Sequence, residues 1–300
     1  MSKILLYHGV TDWVKDERDG TFLNYNGKHI DVDVFEKQMK WLSENKNVVT
    51  LKEINNTSDS VAITFDDAFK NVHDVALPIL KKYDLPATFF ITTGFVGTDK
   101  IFWVDKVEHM INYSKCTILK LDLDAKTFFP VLTKKGKLNS MNSIKAFLKK
   151  AKPKTRDRII NNMKLQTGWD EEKLAENYET LSWDDVRDLD DTPKYEVGGH
   201  SENHEILSYL SSEELNYEVR HCIETLSKQL QRTVDSFSYP EGQEEHYNKE
   251  VISVLKNNGV TICPSAIDGV VDGSDDNFNL KRMMIGFWDR KFPFEEYYNG

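Results

Sequence analysis

Along the chain, apolar runs alternate with stretches whose apolar residues recur every three or four positions. Lys3–His8 reads as a first strand. Asp33–Asn45 sets Phe35, Met39 and Leu42 on one face and predicts a helix. Val48–Leu51 and Val61–Phe65 read as the next strands, the latter stopped by Asp66-Asp67. Residues 71–83 predict a helix with Pro78 as a kink or boundary, and Ala87–Thr92 a further strand ending at Gly94. The same rhythm returns later. Tyr195–Val197 precedes Gly198-Gly199, and a Ser211-x-x-Glu214 capping box opens a helix. Val234–Tyr239 is a strand, 247–258 a helix stopped by Gly259, and Val260–Cys263 another strand. Such repetition implies a mainly parallel sheet, closed as a barrel or open and doubly wound.

Residues 101–182 break this rhythm. They are rich in Lys, Asp and Asn, with one β-like run at Thr117–Leu123 and amphipathic helices near 141–150 and 155–166. Both flanks are needed to complete one sheet. The segment is therefore read as an insertion on a single domain spanning 1–300.

Composition narrows the class. With 39% hydrophobic and 29% charged residues, the 300-residue chain is neither disordered nor a membrane protein in character. No apolar run approaches the roughly 18 residues of a transmembrane helix. A formal net charge of −10 argues against general affinity for nucleic acid or anionic membranes. Cys116, Cys222 and Cys263 form no CxxC pair and read as reduced thiols. Met1-Ser2-Lys3 leads straight into a short apolar run without a cleavage site, so the expectation is a cytoplasmic protein.

Two constellations carry candidate chemistry. In a continuing strand the Asp66 and Asp67 side chains would face opposite ways, but a backbone turn at the strand's C-terminal end lets both converge. That end is where α/β proteins place their sites. Taken alone, the pair reads equally as a solvated turn or a helix N-cap. The second constellation is His200-Ser201-Glu202-Asn203-His204 after Gly198-Gly199. Two His four residues apart share one face of a helical turn, so both imidazoles reach one ion. One Asp and two His make a nitrogen–oxygen ligand set that leaves a position for water.

These residues resemble a known family. Thr64-Phe65-Asp66-Asp67, His200-Ser201-x-x-His204 and Tyr239-Pro240-x-Gly242 are similar, in order, to the first three motifs of the polysaccharide deacetylases (NodB homology, carbohydrate esterase family 4). Leu6-Tyr7-His8-x-Val10, Pro86-Ala87-Thr88-Phe89-Phe90-Ile91 and Leu280-x-Arg282 fit the same pattern. The resemblance covers roughly residues 3–98 and 181–286.

It implies a distorted (β/α) barrel of about seven strands, a divalent metal, and hydrolysis of an N-acetyl group on an amino sugar. Zinc is the expected ion, with cobalt or nickel as other fits to the ligand set. Asp67, His200 and His204 would bind the metal, Asp66 would be the general base, and the backbone N–H of Glu241 would face the oxyanion. The partner is a carbohydrate, with a soluble intermediate or lipid-linked glycan as the expected substrate.

The chain departs from the family pattern in three places. Ser238-Tyr239-Pro240-Glu241 stands where the third motif often reads Arg-x-Pro-Tyr, so the orienting Arg must come from elsewhere. Arg282 is the candidate, set against a solvated surface Arg. The fourth motif, Asp-x-x-Asp-Trp, is not evident, Trp288-Asp289 having only a related composition. No His follows His246, so the proton donor is assigned to His8 in preference to His246, because a strand end is held by the sheet. Phe102, Trp103, Trp183 and Trp288 are candidates to stack on sugar rings, while His29, His73, His109 and His221 read as structural or surface residues. The rival functions are a deformylase, an O-deacetylase or another amidohydrolase on the same site, and a non-catalytic glycan-binding barrel.

Overall fold

The computed structural model describes residues 1–12, 24, 26–123, 126–170 and 176–299. Its strands are β1 (Lys3–Tyr7), β2 (Gly9–Thr11), β3 (His29–Asp31), β4 (Asn47–Val48), β5 (Ser60–Phe65), β6 (Ala87–Ile91), β7 (Ile118–Leu123), β8 (Lys126–Pro130), β9 (Tyr195–Gly199) and β10 (Met283–Met284). The main sheet runs β10-β1-β5-β6-β9 with every pair parallel, and β4 joins the start of β5. Parallel bridges Gly199↔Phe237 and Ser236↔Ile262 extend it beyond β9. Backbone hydrogen bonds from Ser265 to Leu280 and from Arg282 to Ile267 then bring the chain back beside β10. The result is a distorted (β/α) barrel.

Both faces of β1, β5, β6 and β9 are largely buried, which is why they read as continuous apolar runs. Ile4, Ala62, Phe90, Ile262 and Leu280 fill the inside. Leu5, Tyr7, Ile63, Phe65 and Phe89 face the helices and meet Phe35 and Met39 of helix Val32–Asn45. Tyr7, Phe65 and Phe89 stack in sequence, with ring centroids 5.5 and 5.3 Å apart.

Several elements differ from the sequence reading. The helix expected over 71–83 opens as a π-helical stretch, Val72–Ala76, before α-helix Leu77–Lys82. Pro78 explains this, because it has no N–H for an i→i−4 bond and its ring crowds the preceding turn. The strands expected at Val234–Tyr239 and Val260–Cys263 shrink to single bridges. Pro240 has no N–H to offer a ladder, and the chain then turns through positive φ at Glu241 and Gly242.

The inserted segment contains helices Trp103–Asn112, Lys134–Lys150 and Pro153–Thr167 and the antiparallel hairpin β7–β8. The first helix and β8 were not expected from the pattern. The segment has its own apolar cluster, including Val107, Leu121, Phe129, Ile144 and Met163. One face of helix Lys134–Lys150 turns back toward the barrel mouth.

Candidate metal centre

The geometry starts at the end of β5. Thr64 and Asp66 share the inward face, while Phe65 packs outward. Continued extension would aim Asp67 outward too, but β5 stops at Phe65 and the backbone enters φ 87° at Asp67 and 151° at Ala68. Both carboxylates therefore reach one cavity.

The His pair gets there differently from the expected helical turn. Residues 200–206 form a loop, with positive φ of 63° at Ser201 and 57° at His204. The His204 N–H donates to Ser201 Oγ (2.9 Å), and Asn203 donates to both oxygens of Glu218, each at 2.8 Å. This pinned loop brings the two imidazoles to 4.9 Å between centroids. Glu218, on helix Ser212–Leu230, had no motif to mark it.

The ligating atoms of Asp67, His200 and His204 lie within 4.8 Å of one another. His204 Nε2 is 3.2 Å and His200 Nε2 3.7 Å from the same Asp67 oxygen, Oδ1. His200 Nδ1 lies 2.8 Å from the Ser238 carbonyl. A carbonyl can only accept, so Nδ1 carries the proton and Nε2 is left with its lone pair. Burial pushes the His200 pKa down to about 4, so the imidazole is neutral at pH 7. Three convergent donors, with one ring oriented and neutral, fit a divalent transition-metal ion.

Asp67's other oxygen faces a cation. Lys28 Nζ is 3.4 Å from Asp67 Oδ2 and 2.8 Å from Asp105 Oδ1, and its ammonium sits over the Phe69 ring at 4.5 Å. Burial alone would raise the Asp67 pKa, but Lys28 and then His204 hold it well below the ordinary carboxylate range. Lys28 and Asp105 were not singled out from the sequence. A lysine in a polar stretch gives no local sign that it will be buried.

Asp66 is held by Arg282. Nη1 donates to Asp66 Oδ1 and Nη2 to Oδ2, both at 2.7 Å. The remaining donors reach Thr64 Oγ1 (3.3 Å), Ser238 Oγ (2.7 Å) and the Ser265 carbonyl (2.6 Å). All five N–H donors are thus used, and the side chain is fully buried, which removes the reading of a solvated surface Arg. Ser238, at the position where the family often has Arg, contributes a hydroxyl to the same network. Burial would raise the Asp66 pKa, but Arg282 keeps the carboxylate ionised below its usual range.

Lys28, Asp66, Asp67, His200 and His204 line a cavity of about 490 Å³ together with His8, Glu241, Met284 and Phe287. Helix Lys134–Lys150 supplies one wall through Asn142, Lys145, Ala146 and Lys149, the i, i+3, i+4, i+7 stripe of a single helix face. Among the described residues His8 Nδ1 is buried without a hydrogen-bond partner. His246 is not among the lining residues. Its Nδ1 accepts from the Gln243 N–H (3.2 Å) behind the Pro240 loop.

The aromatic candidates fall elsewhere. Phe102 is buried, stacked on Phe95 at 4.1 Å and edge-on to His204 at 5.3 Å, so it backs His204 and offers no open ring face. Trp103 lies under the Arg156 guanidinium, Trp183 packs against the main core, and the Trp288 side chain lies outside the described residues. Phe287 is the aromatic residue at the cavity, and periodicity did not mark it. His29 is buried against Phe69 and Asn71, His109 against Trp169, while His73 and His221 sit nearer the surface beside carboxylates.

Comparison with known proteins places this geometry. The family model for polysaccharide deacetylases matches residues 53–118 and 126–263, continuing through much of the inserted segment. The poly-beta-1,6-N-acetyl-D-glucosamine N-deacetylase of Staphylococcus aureus (strain MSSA476) is 42% identical over 81 residues. That match spans 24% of this chain and only 28% of that enzyme. The Streptococcus pyogenes deacetylase PplD, solved with acetate, superposes with a TM-score of 0.59 at 16% identity, covering 96% of this chain and 93% of that one. The de-N-acetylase from Aggregatibacter actinomycetemcomitans gives the same TM-score at 16% identity, with 99% and 98% covered. These structures share the fold, and the family model, matched over more than half of the residues, fixes the kinship: the chain belongs to the polysaccharide deacetylase family.

Proposed function

We propose that this protein is a metal-dependent hydrolase that removes N-acetyl groups from an amino sugar within a glycan. The observation that carries the reading is the convergence, in one cavity, of the Asp67–His200–His204 donor set with an Asp66 carboxylate held ionised by Arg282. Asp67, His200 and His204 would hold the ion, with zinc the best match to two imidazoles and a carboxylate. When bound, such an ion supplies a Lewis acid that polarises a carbonyl and acidifies water.

The remaining work belongs to the chain. Asp66 takes a proton from the attacking water as the new C–O bond forms, and Arg282 fixes the direction in which its lone pairs point. Among the described residues the Glu241 N–H meets no acceptor, which leaves it available to the developing oxyanion. As the C–N bond breaks, the leaving nitrogen takes a proton from His8. The products are acetate and a free amine.

The test is acid release from β-1,6-linked N-acetylglucosamine oligomers by the zinc-loaded protein, with and without chelator. Acetate and new amines in equal amounts, lost on chelation and restored by zinc, support the proposal. Formate from an N-formyl substrate with no acetate from the oligomers, or no release at all, overturns it.

A further inference from the structure

The inserted segment reaches the Pro240 loop through one ion pair. Lys149, in the last turn of helix Lys134–Lys150, donates from Nζ to Glu241 Oε2, with both side chains partly buried. Glu241 sits at a costly backbone position. The Gly242 N–H donates to the Pro240 carbonyl at 2.8 Å, an i→i+2 bond, and φ at Glu241 is 62°. A γ-turn with positive φ at its centre is rare and strained, and a non-glycine residue persists there only if its surroundings over-determine it.

The neighbours on the C-terminal side are well held. The Ala266 N–H donates to the Gly242 carbonyl (2.8 Å), and Gln243 Nε2 donates to the Ala266 carbonyl (3.0 Å). Gly242 itself has φ 55°, and a Cβ there would lie 2.6 Å from Ala266 N, so only glycine fits. None of these contacts touches the Glu241 side chain, although the His246 ring meets the Glu241 backbone. Its side chain is held by Lys149, which the register of the helix stripe Asn142, Lys145, Ala146, Lys149 delivers to the cavity.

We propose that Lys149 is a positioning residue: by gripping the Glu241 carboxylate it holds the strained turn and fixes the direction of the Glu241 N–H. The inserted segment is then part of the catalytic apparatus. The consequence for turnover rests on the deacetylase reading, whereas the grip on the turn does not.

The experiment uses the zinc-loaded 300-residue chain as wild type, K149M, K149R and E241Q. Amide hydrogen exchange of the peptide covering 239–246 is followed by mass spectrometry, alongside steady-state kinetics on the N-acetylglucosamine oligomers. K149M should exchange about tenfold faster in that peptide, with helix Ser212–Leu230 and metal content unchanged. Its kcat should fall about 10- to 100-fold with KM nearly constant, because the lost alignment concerns the transition state. K149R should restore most of both. E241Q, which keeps the side chain's size, should loosen the same peptide and settles the matter if K149M folds poorly. Wild-type exchange rates in both K149M and E241Q overturn the proposal, as does faster exchange with unchanged kcat. If the wild type releases no acid, the activity reading has failed, and the exchange data alone decide whether Lys149 holds the turn.

Discussion

Arg282 and Asp66 form a fully buried two-pronged pair, both contacts 2.7 Å, with every other guanidinium donor bound to Thr64, Ser238 or Ser265. The two residues lie 216 positions apart, and their pairing ties the end of β5 to the residue just before β10. Removing one partner of such a pair leaves an uncompensated buried charge.

R282M should therefore destabilise the fold by about 3–5 kcal/mol, measured by denaturant unfolding. The double variant R282M/D66L should recover a large part of that loss, since no isolated carboxylate remains. Strictly additive losses would show that the two residues are not coupled.

Metal linkage gives a second expectation. Zinc at a hundredfold excess over its dissociation constant should stabilise the wild type by about 2.7 kcal/mol, seen as a rise in Tm. D67A, H200A and H204A should each lose tight zinc on elemental analysis and lose that rise. A D67A protein with wild-type zinc content and response would remove Asp67 from the ligand set.

D66N separates the two adjacent carboxylates. It should keep its zinc but lose about a hundredfold or more in turnover, the usual scale for removing a general base. Loss of zinc with little change in the activity of the reloaded protein would assign Asp66 to the metal instead.

The centre of this site was legible because its signals are local. Asp66-Asp67 stands where an apolar strand ends, and His200 and His204 lie four residues apart after a glycine pair. The reason for their convergence was only half visible, since the His pair depends on left-handed Ser201 and His204 and on Glu218, fifteen residues beyond the Asn203 it holds. Lys28–Asp105 and Lys149–Glu241 join positions 77 and 92 residues apart. Such pairs depend on how the inserted segment docks, and a lysine's burial there leaves no trace in periodicity. Arg282 was named from its motif, but its burial came only with barrel closure. The π-helical stretch before Pro78 and the short bridges at Phe237 and Ile262 show local proline and turn chemistry overriding the apolar pattern.

His109 should make the stability of the inserted segment depend on pH. Trp169 Nε1 donates to His109 Nδ1 at 2.7 Å, which requires that nitrogen to be unprotonated. Burial lowers the His109 pKa to about 4, against about 6.5 when unfolded. Above pH 6.5 both states are neutral and the residue adds no pH dependence. As pH falls from 6.5 toward 4, the unfolded state binds the proton first and stability drops, and below about 4 the effect levels off. H109Q keeps an acceptor for Trp169 without titrating. Unfolding free energies for H109Q should fall less steeply than wild type across that window, by at most about 1.4 kcal/mol per pH unit. Parallel curves would contradict the assignment.

The proton donor is the last role to test, and geometry separates its two candidates. Expelling an amine from a tetrahedral carbon is slow unless the nitrogen is protonated, so an acid must reach the cavity. His8 lines that cavity at the end of β1, with no hydrogen-bond partner for Nδ1 among the described residues and its ring 5.3 Å from Phe287. His246 lies behind the Pro240 loop, its Nδ1 already accepting from the Gln243 N–H and its Nε2 3.7 Å from Glu245. Burial lowers the His8 pKa, against the opposing pull of Asp67 and Asp66, so its proton leaves at a lower pH than an ordinary histidine's. The basic limb of kcat should accordingly fall early, as the acid form is lost with rising pH. H8A should lower kcat by about a hundredfold or more and flatten that limb while keeping its zinc. H246A should leave the limb in place and act, if at all, through the packing of the Gln243 turn. An H8A enzyme with wild-type kcat and pH dependence would exclude His8, and a flattened limb in H246A alone would move the role to His246.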